Sequence, residues 1–402
     1  MTNRTNYARP VTNTTQIVYD HFRQIISNNL SLLRNKRIVI FGAGVRGALL
    51  ALVLKDFDID DIIFSDNNEE IIGGRINQYP IINLKDVIKQ KEDVVVLVSP
   101  ENNKDIIKQL EHIGFIENEN MFNCGSRLYN WFINQFIDNE NKDIFIVGDC
   151  GLMYFSLNDA NKISISDMIK KQFSNYRFKQ LTMNAMGMRA FYNMLLSQFD
   201  LYTKPKYIFL SVDISVFNGK QHYMPNAQHV DLINKIYEVT NTRNNKLFEY
   251  LQVVKERYNN SNKVIINNKG YSSSNLGDIK NKVYIKMNYM YKLNNENEEL
   301  RYFIKILELL KEESIIPILF ILPINYCQGR VYYGDDFIKS YQKNTIMIKN
   351  IVKEKGYDLL DLSFMLDEKY FLDTNTMDEA FCYEGRLKAC NEITNYFRRH
   401  EY

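Results

Sequence analysis

"KRIVIFGAGVRGALLALVLKDFDIDDIIFSDNN", residues 36–68, decides the fold class. The apolar run at 37–41 reads as a buried strand, and a glycine-rich turn follows it. Residues 46–56 then keep an apolar face at helical spacing, and 61–65 form a second apolar run. Strand, turn, helix and strand in this order build a parallel sheet covered on both faces. Working outward, "DVVVLVS" (93–99) is a further strand and "NKDIIKQLEHIGF" (103–115) a further helix. Upstream, Ile17, Phe22, Ile25, Ile26, Leu30 and Leu33 recur at helical spacing, which predicts one amphipathic lead-in helix over 15–34.

A second α/β series starts at residue 143. Its strands are expected at 143–148, 177–183, 207–212, 316–322 and 357–362. Helices are expected at about 151–175, 186–199, 229–257, 296–313, 336–355 and 384–399. The polar stretch 258–294, rich in Asn and Lys, breaks the rhythm and reads as an insertion or surface excursion. The expected fold is therefore α/β with two domains: a Rossmann-like parallel sheet and a flavodoxin-like three-layer αβα domain. The boundaries read as a tail and lead-in helix (1–35), the first domain (36–125), a bridging helix and linker (126–142) and the second domain (143–402).

Bulk composition narrows the function classes. A chain of 402 residues exceeds one typical core, consistent with two domains. Its 50 Lys and Arg against 48 Asp and Glu leave a net charge of +2, which gives no reason to expect a nucleic-acid partner. The longest apolar runs, "IIPILFILPI" and "ALLALVL", are too short to span a bilayer. Five scattered cysteines without a CxxC pair predict a reducing, cytoplasmic setting and neither a disulfide framework nor a metal site.

Two motifs carry chemistry. Gly42-x-Gly44-x-x-Gly47 lies between a strand and a helix, where the glycines permit a tight turn, close approach of a phosphate and close helix packing. Asp66, at the end of the second strand, sits where an acid can bind ribose hydroxyls. The cofactor expectation there is a nucleotide or nucleotide sugar; a Rossmann-like turn without a ligand is the alternative. The glycine turn, Asp66-Asn67, Gly73-Gly74 and Pro80-Ile81-Ile82 together resemble the Rossmann-like domain at the front of sialic-acid-type sugar O-acyltransferases, a domain also attached to some sugar methyltransferases. The resemblance covers about 36–115 and implies a sugar or nucleotide-sugar context.

The second motif is "VGDCGLMYF" (147–155), where a strand ends in Gly148-Asp149-Cys150. "NAMGMR" (184–189) follows the next strand, "LSVDISVFN" (210–218) the third and "DEAFCYEGR" (378–386) the last. In order and spacing these resemble the blocks of the SGNH/GDSL hydrolase superfamily. The resemblance implies Cys150 as nucleophile, Gly187 and the Cys150 backbone in an oxyanion hole with Asn218 nearby, and Asp378 in the last block. The departures are large. Cys150 replaces serine, Val212-Asp213 stands where Asn is expected, and Phe381 occupies the place of the histidine base. Phenylalanine cannot accept a proton, so the family's triad cannot assemble in its usual form.

Of the five histidines, His21, His112 and His400 lie away from these motifs. His222 and His229, in "NGKQHYMPNAQH" (218–229), follow the third strand on the edge where such sheets place their sites, and are the candidate bases. His229 also stands at a helix start, where packing or capping accounts for it equally well. Asp149, Asp213, Glu379 and Asn325 are further polar groups at that edge, and Glu384 reads as a first-turn acid favoured by the helix dipole. Three functions remain open. One is an esterase or acyltransferase on an acyl group of a bacterial surface glycan or its precursor, through Cys150. Another is a non-catalytic SGNH-like domain binding a carbohydrate or a partner glycan-biosynthesis enzyme. The last is nucleotide or nucleotide-sugar binding by the first domain.

Overall fold

The chain divides into two units, Met1–Trp131 and Phe132–Tyr402. The computed structural model describes residues 13–89, 91–101, 103–125, 127–156, 159, 161–183, 186–218, 229–240, 247–252, 276–372 and 381–400.

Strands of the first unit are β1 (Arg37–Phe41), β2 (Ile62–Ser65), β3 (Arg75–Ile76), β4 (Tyr79–Ile82), β5 (Val94–Val98) and β6 (Met121–Asn123). They lie in the order β3-β4-β2-β1-β5-β6. Only the β3–β4 pair is antiparallel, with Arg75 opposite Pro80. Ile38 of β1 pairs with Ile62 on one side and Val95 on the other, so β1 is central and Ile38, Val39 and Ile40 are fully buried. A strand covered on both faces cannot alternate apolar with polar, which is why these strands read as continuous apolar runs.

Helices α1 (Gln16–Asn28) and α2 (Leu30–Arg34) replace the single helix expected over 15–34. The Thr15 hydroxyl caps α1 by accepting from Val18 N at 3.2 Å. The break falls at Asn29, which leaves helical geometry (φ −117°, ψ 17°) while its side chain donates back to Ile25 O. Helices α3 (Val45–Lys55), α4 (Leu84–Ile88) and α5 (Lys104–His112) link the strands, and the chain divides within α6 (Arg127–Ile137).

The second unit holds β7 (Ile144–Gly148), β8 (Phe178–Thr182), β9 (Tyr207–Ser211), β10 (Ile316–Ile321) and β11 (Leu359–Asp361). Their order is β8-β7-β9-β10-β11, and every pair is parallel. Its helices include α7 (Ile165–Gln172), α8 (Met188–Leu201), α9 (Val230–Val239), α10 (Leu276–Tyr289), α11 (Glu298–Glu312), α12 (Tyr326–Tyr333), α13 (Asp335–Glu354) and α14 (Tyr383–His400). Phe397 of α14 anchors one core layer, its ring 5.0 Å from Tyr207, 5.1 Å from Phe209 and 5.0 Å from Phe173. Such close aromatic edges add to the burial term.

Three expectations need correction. The helix predicted over 151–175 is a 3-10 turn at Cys150–Leu152, an extended Phe155–Ser156 and only then α7, which starts where the Ser164 hydroxyl accepts from Asp167 N. The helix predicted over 229–257 is interrupted: α9 stops at Val239, where the Thr240 hydroxyl folds back onto Ile236 O, and residues 247–252 are helical again. The stretch expected as a surface excursion at 258–294 contains α10, whose Ile285 and Tyr289 are buried. Among the described residues, no helix is long and apolar enough to cross a membrane.

Candidate functional site

In the second sheet the chain crosses one way from β7 to β8 and then back the other way, past β7, from β8 to β9. The carboxyl ends of β7 and β9 therefore flank a switch point, where parallel sheets leave a crevice open to ligands. A small crevice opens there, and the end of β10 supplies its third side.

Each wall has a local cause. Beyond β7, the Asp149 carboxylate accepts from Gly151 N at 3.1 Å and caps the 3-10 turn that carries Cys150. Beyond β9, Asp213 accepts from Leu322 N at 2.9 Å through one oxygen and from the Ser211 hydroxyl through the other, tying β9 to the end of β10. Asp213 also opens the 3-10 turn Ile214–Phe217. That turn is held from behind by Tyr291 Oη, which donates to Ile214 O at 2.6 Å, and by Asn297 Nδ2, which donates to Phe217 O at 2.7 Å.

Asp149, Asp213 and Ser215 are the polar groups of the lining; Tyr289, Tyr341 and Phe381 form its aromatic part. Tyr341 is fully buried, and burial holds its phenol well above the ordinary tyrosine range. It is therefore a neutral hydroxyl throughout the physiological range. No histidine occurs among the described lining residues.

Phe381 is itself fixed from below. It bridges to Phe371, with ring centroids 5.4 Å apart, and its carbonyl accepts from Arg386 Nη1 at 2.6 Å. Arg386, with 1% of its side chain exposed, also donates to Ile163 O at 2.8 Å and Asn161 O at 2.7 Å and pairs with Asp159 at 3.4 Å. Burial lowers the Arg386 pKa from its ordinary value, and Asp159 opposes that shift. Nothing in "YEGRLKAC" distinguishes this arginine from a surface one.

The candidate residues fall as follows. Cys150 is buried, and its carbonyl accepts from Met153 N and Tyr154 N; its neighbours Asp149 and Gly151 line the cleft and Cys150 does not. Gly187 is the N-cap of α8, two residues before the Arg189 amide that donates to Glu299. Asn218 is buried, and its Nδ2 donates to the side-chain Oδ1 of Asn288. His229 precedes α9 in left-handed geometry (φ 47°), is buried and does not cap the helix with its side chain. Asn325 caps α12 by accepting from Gln328 N at 3.4 Å. His222, Asp378 and Glu379 lie outside the described residues. Tyr289, Tyr341 and Ser215 were not anticipated; Ser215 could have been raised by its place after a strand and Tyr289 by its place in the presumed insertion, whereas Tyr341, within a helix, carries no such signal.

In the first unit, Gly42 turns the chain at φ +103°, a conformation open to glycine at little cost. A Cβ on Gly47 would lie 2.1 Å from Gly42 O, so that glycine is required by close packing of helix on turn. Gly44 caps α3 with open space before it. Asp66 turns inward: one oxygen accepts from Ala43 N at 2.7 Å and the other from Asn68 N at 2.9 Å. An acid expected to meet ribose thus braces the glycine turn. It also lines an open depression of about 550 Å³, with Asn67, Glu69, Asn83, Lys85 and Gln109.

A family model described as C2185-like, N-terminal, matches residues 34–121. No curated protein matches the chain.

Proposed function

We propose that the second unit is a divergent SGNH-like domain on a flavodoxin-like sheet that binds a carbohydrate, a glycan or its precursor, in the cleft beside Asp213, without covalent chemistry at Cys150. The observation that carries this reading is the lining: two carboxylates, a serine hydroxyl and three aromatic rings, with Phe381 where the superfamily keeps its base. Carboxylates and a hydroxyl accept from sugar hydroxyls, so the polar part of this lining suits a polyol.

The test is a binding screen of monosaccharides and nucleotide sugars, read by tyrosine fluorescence and thermal shift. Ser215→Ala is expected to weaken the binding several-fold and Cys150→Ala to leave it unchanged. An activated acyl ester supplies the opposite arm. Hydrolysis by the wild type that disappears in Cys150→Ala would establish the esterase or acyltransferase reading instead.

A second reading rests on the first unit. Its parallel strands run third, second, first, fourth, fifth, with the glycine turn at the switch point, as in nucleotide-binding Rossmann-like sheets. On that reading the unit takes a nucleotide or nucleotide sugar at Gly42, Gly44 and Gly47. Asp66→Asn is then expected to change nucleotide affinity; a thermal shift with no nucleotide tested would remove this reading.

A further inference from the structure

The crevice at the ends of β7, β9 and β10 holds a buried donor with no acceptor. Tyr341, in α13, is one of its lining residues and is fully buried. Its ring is fixed by neighbours, with centroids 5.4 Å from Phe364, 6.0 Å from Phe337 and 6.2 Å from Tyr289. Its hydroxyl lies within electrostatic reach of Asp213, another lining residue, yet makes no hydrogen bond among the described residues. The neighbouring Ser363 hydroxyl gives its proton to Asp361 instead, and Lys349 holds that carboxylate at 2.7 Å. Asn325, which follows the lining residue Ile324 and is 1% exposed, also leaves its Nδ2 without an acceptor. Buried hydroxyls and amides nearly all have partners, because an unpaired one carries its full desolvation cost. Two such donors at one strand end call for a group that the folded chain does not supply.

The rest of the lining narrows what that group is. Ile214, Leu322, Pro323, Ile324 and Phe381 are apolar. A narrow crevice with apolar walls and a donor inside matches a methyl group beside a carbonyl. The methyl meets the walls, and the carbonyl oxygen, which has lone pairs and no proton, takes the donor. A bare sugar hydroxyl brings a proton of its own and nothing for the walls. Ionised carboxylates accept and cannot donate, so Asp149 and Asp213 suit the N–H of an amide better than the second oxygen of an ester.

We propose that Tyr341 is a specificity-determining residue of this crevice: its hydroxyl donates to the carbonyl oxygen of an N-acetyl group, so the ligand is an N-acetylated amino sugar. This rests on the reading of the crevice as a carbohydrate site.

The experiment is calorimetric titration of the full chain with glucose, galactose and mannose, each beside the corresponding N-acetylhexosamine, in wild type and Tyr341→Phe. The wild type is expected to bind an N-acetylhexosamine about tenfold more tightly than its parent sugar, the worth of one hydrogen bond to a buried donor. Tyr341→Phe is expected to lose most of that preference. Equal affinity for parent and derivative in the wild type would overturn the proposal and leave the carbohydrate reading standing, with only water on Tyr341. A preference that survives in Tyr341→Phe would place recognition of the acetyl group elsewhere and overturn it too. Absence of binding by every sugar tested would remove both readings. Urea unfolding without ligand is the control: removing a hydroxyl that has no partner should leave the midpoint of Tyr341→Phe unchanged or raised. A lowered midpoint, or a variant that does not fold, would mean that the hydroxyl is already bonded within the chain and would overturn the assignment.

Discussion

Replacing Arg386 by methionine removes a guanidinium and keeps most of its apolar volume. In the native fold that group satisfies three backbone carbonyls, those of Phe381, Ile163 and Asn161, and faces the carboxylate of Asp159. The Asp159 carboxylate is 10% exposed, so it would be left nearly buried without its cation. Stripping one member from a buried ion pair costs roughly 3–5 kcal/mol, because the remaining charge has no counterpart. The carbonyls add to this in the measure that water cannot reach them. We expect Arg386→Met to lose about 4 kcal/mol, close to a thousandfold in the unfolding equilibrium. Lysine restores charge at a single point without the planar fork, so Arg386→Lys should recover only part of the loss. Urea denaturation by far-ultraviolet circular dichroism measures both, with Asp159→Asn completing a double-mutant cycle. A loss below about 1 kcal/mol for Arg386→Met, or simple additivity with Asp159→Asn, would refute the reasoning.

Other outcomes follow from single contacts. Gly47→Ala should destabilise the first unit by more than about 2 kcal/mol, since its Cβ falls 2.1 Å from Gly42 O; an unchanged melting temperature would contradict this. Phe397→Ala should cost about 3–5 kcal/mol in denaturant titrations, because four aromatic rings lose a common partner. Asp143 accepts from the backbone N–H of Arg177 and from its guanidinium, which hold its pKa below the ordinary carboxylate value. Its contribution is present above the unfolded carboxyl pKa and is lost as pH falls toward the folded one, so Asp143→Asn should flatten the acid limb of the stability profile. Thiol labelling of the native protein should reach the half-buried Cys327 and Cys382 well before the buried Cys150.

Much of the fold was legible because it is written in local periodicity. The strands Arg37–Phe41 and Tyr207–Ser211 are continuous apolar runs, and their bounds follow from residues that lie next to one another. Helix bounds were legible to within a residue or two, as for the helix expected at 296–313, which begins at Glu298 after the Asn297 cap and ends at Glu312. They were not legible at 151–175, since leucine, methionine and phenylalanine serve equally in a buried turn and in a helix. The cleft was legible only by position. Asp149 and Asp213 stand at strand ends, but their partners, Gly151, Ser211 and Leu322, become neighbours only after the sheet closes.

The sequence by itself determined that this chain is α/β, where its parallel strands lie and which residues reach their carboxyl ends, because those features depend on spacing along the chain. Tertiary structure alone decided the rest. It drew Asp66 onto the glycine turn, set Glu299 against the start of α8, buried Arg386 beneath Phe381 and buried Cys150. Each is a pairing between residues distant in sequence, and burial and charge at such a pairing exist only once the chain has packed.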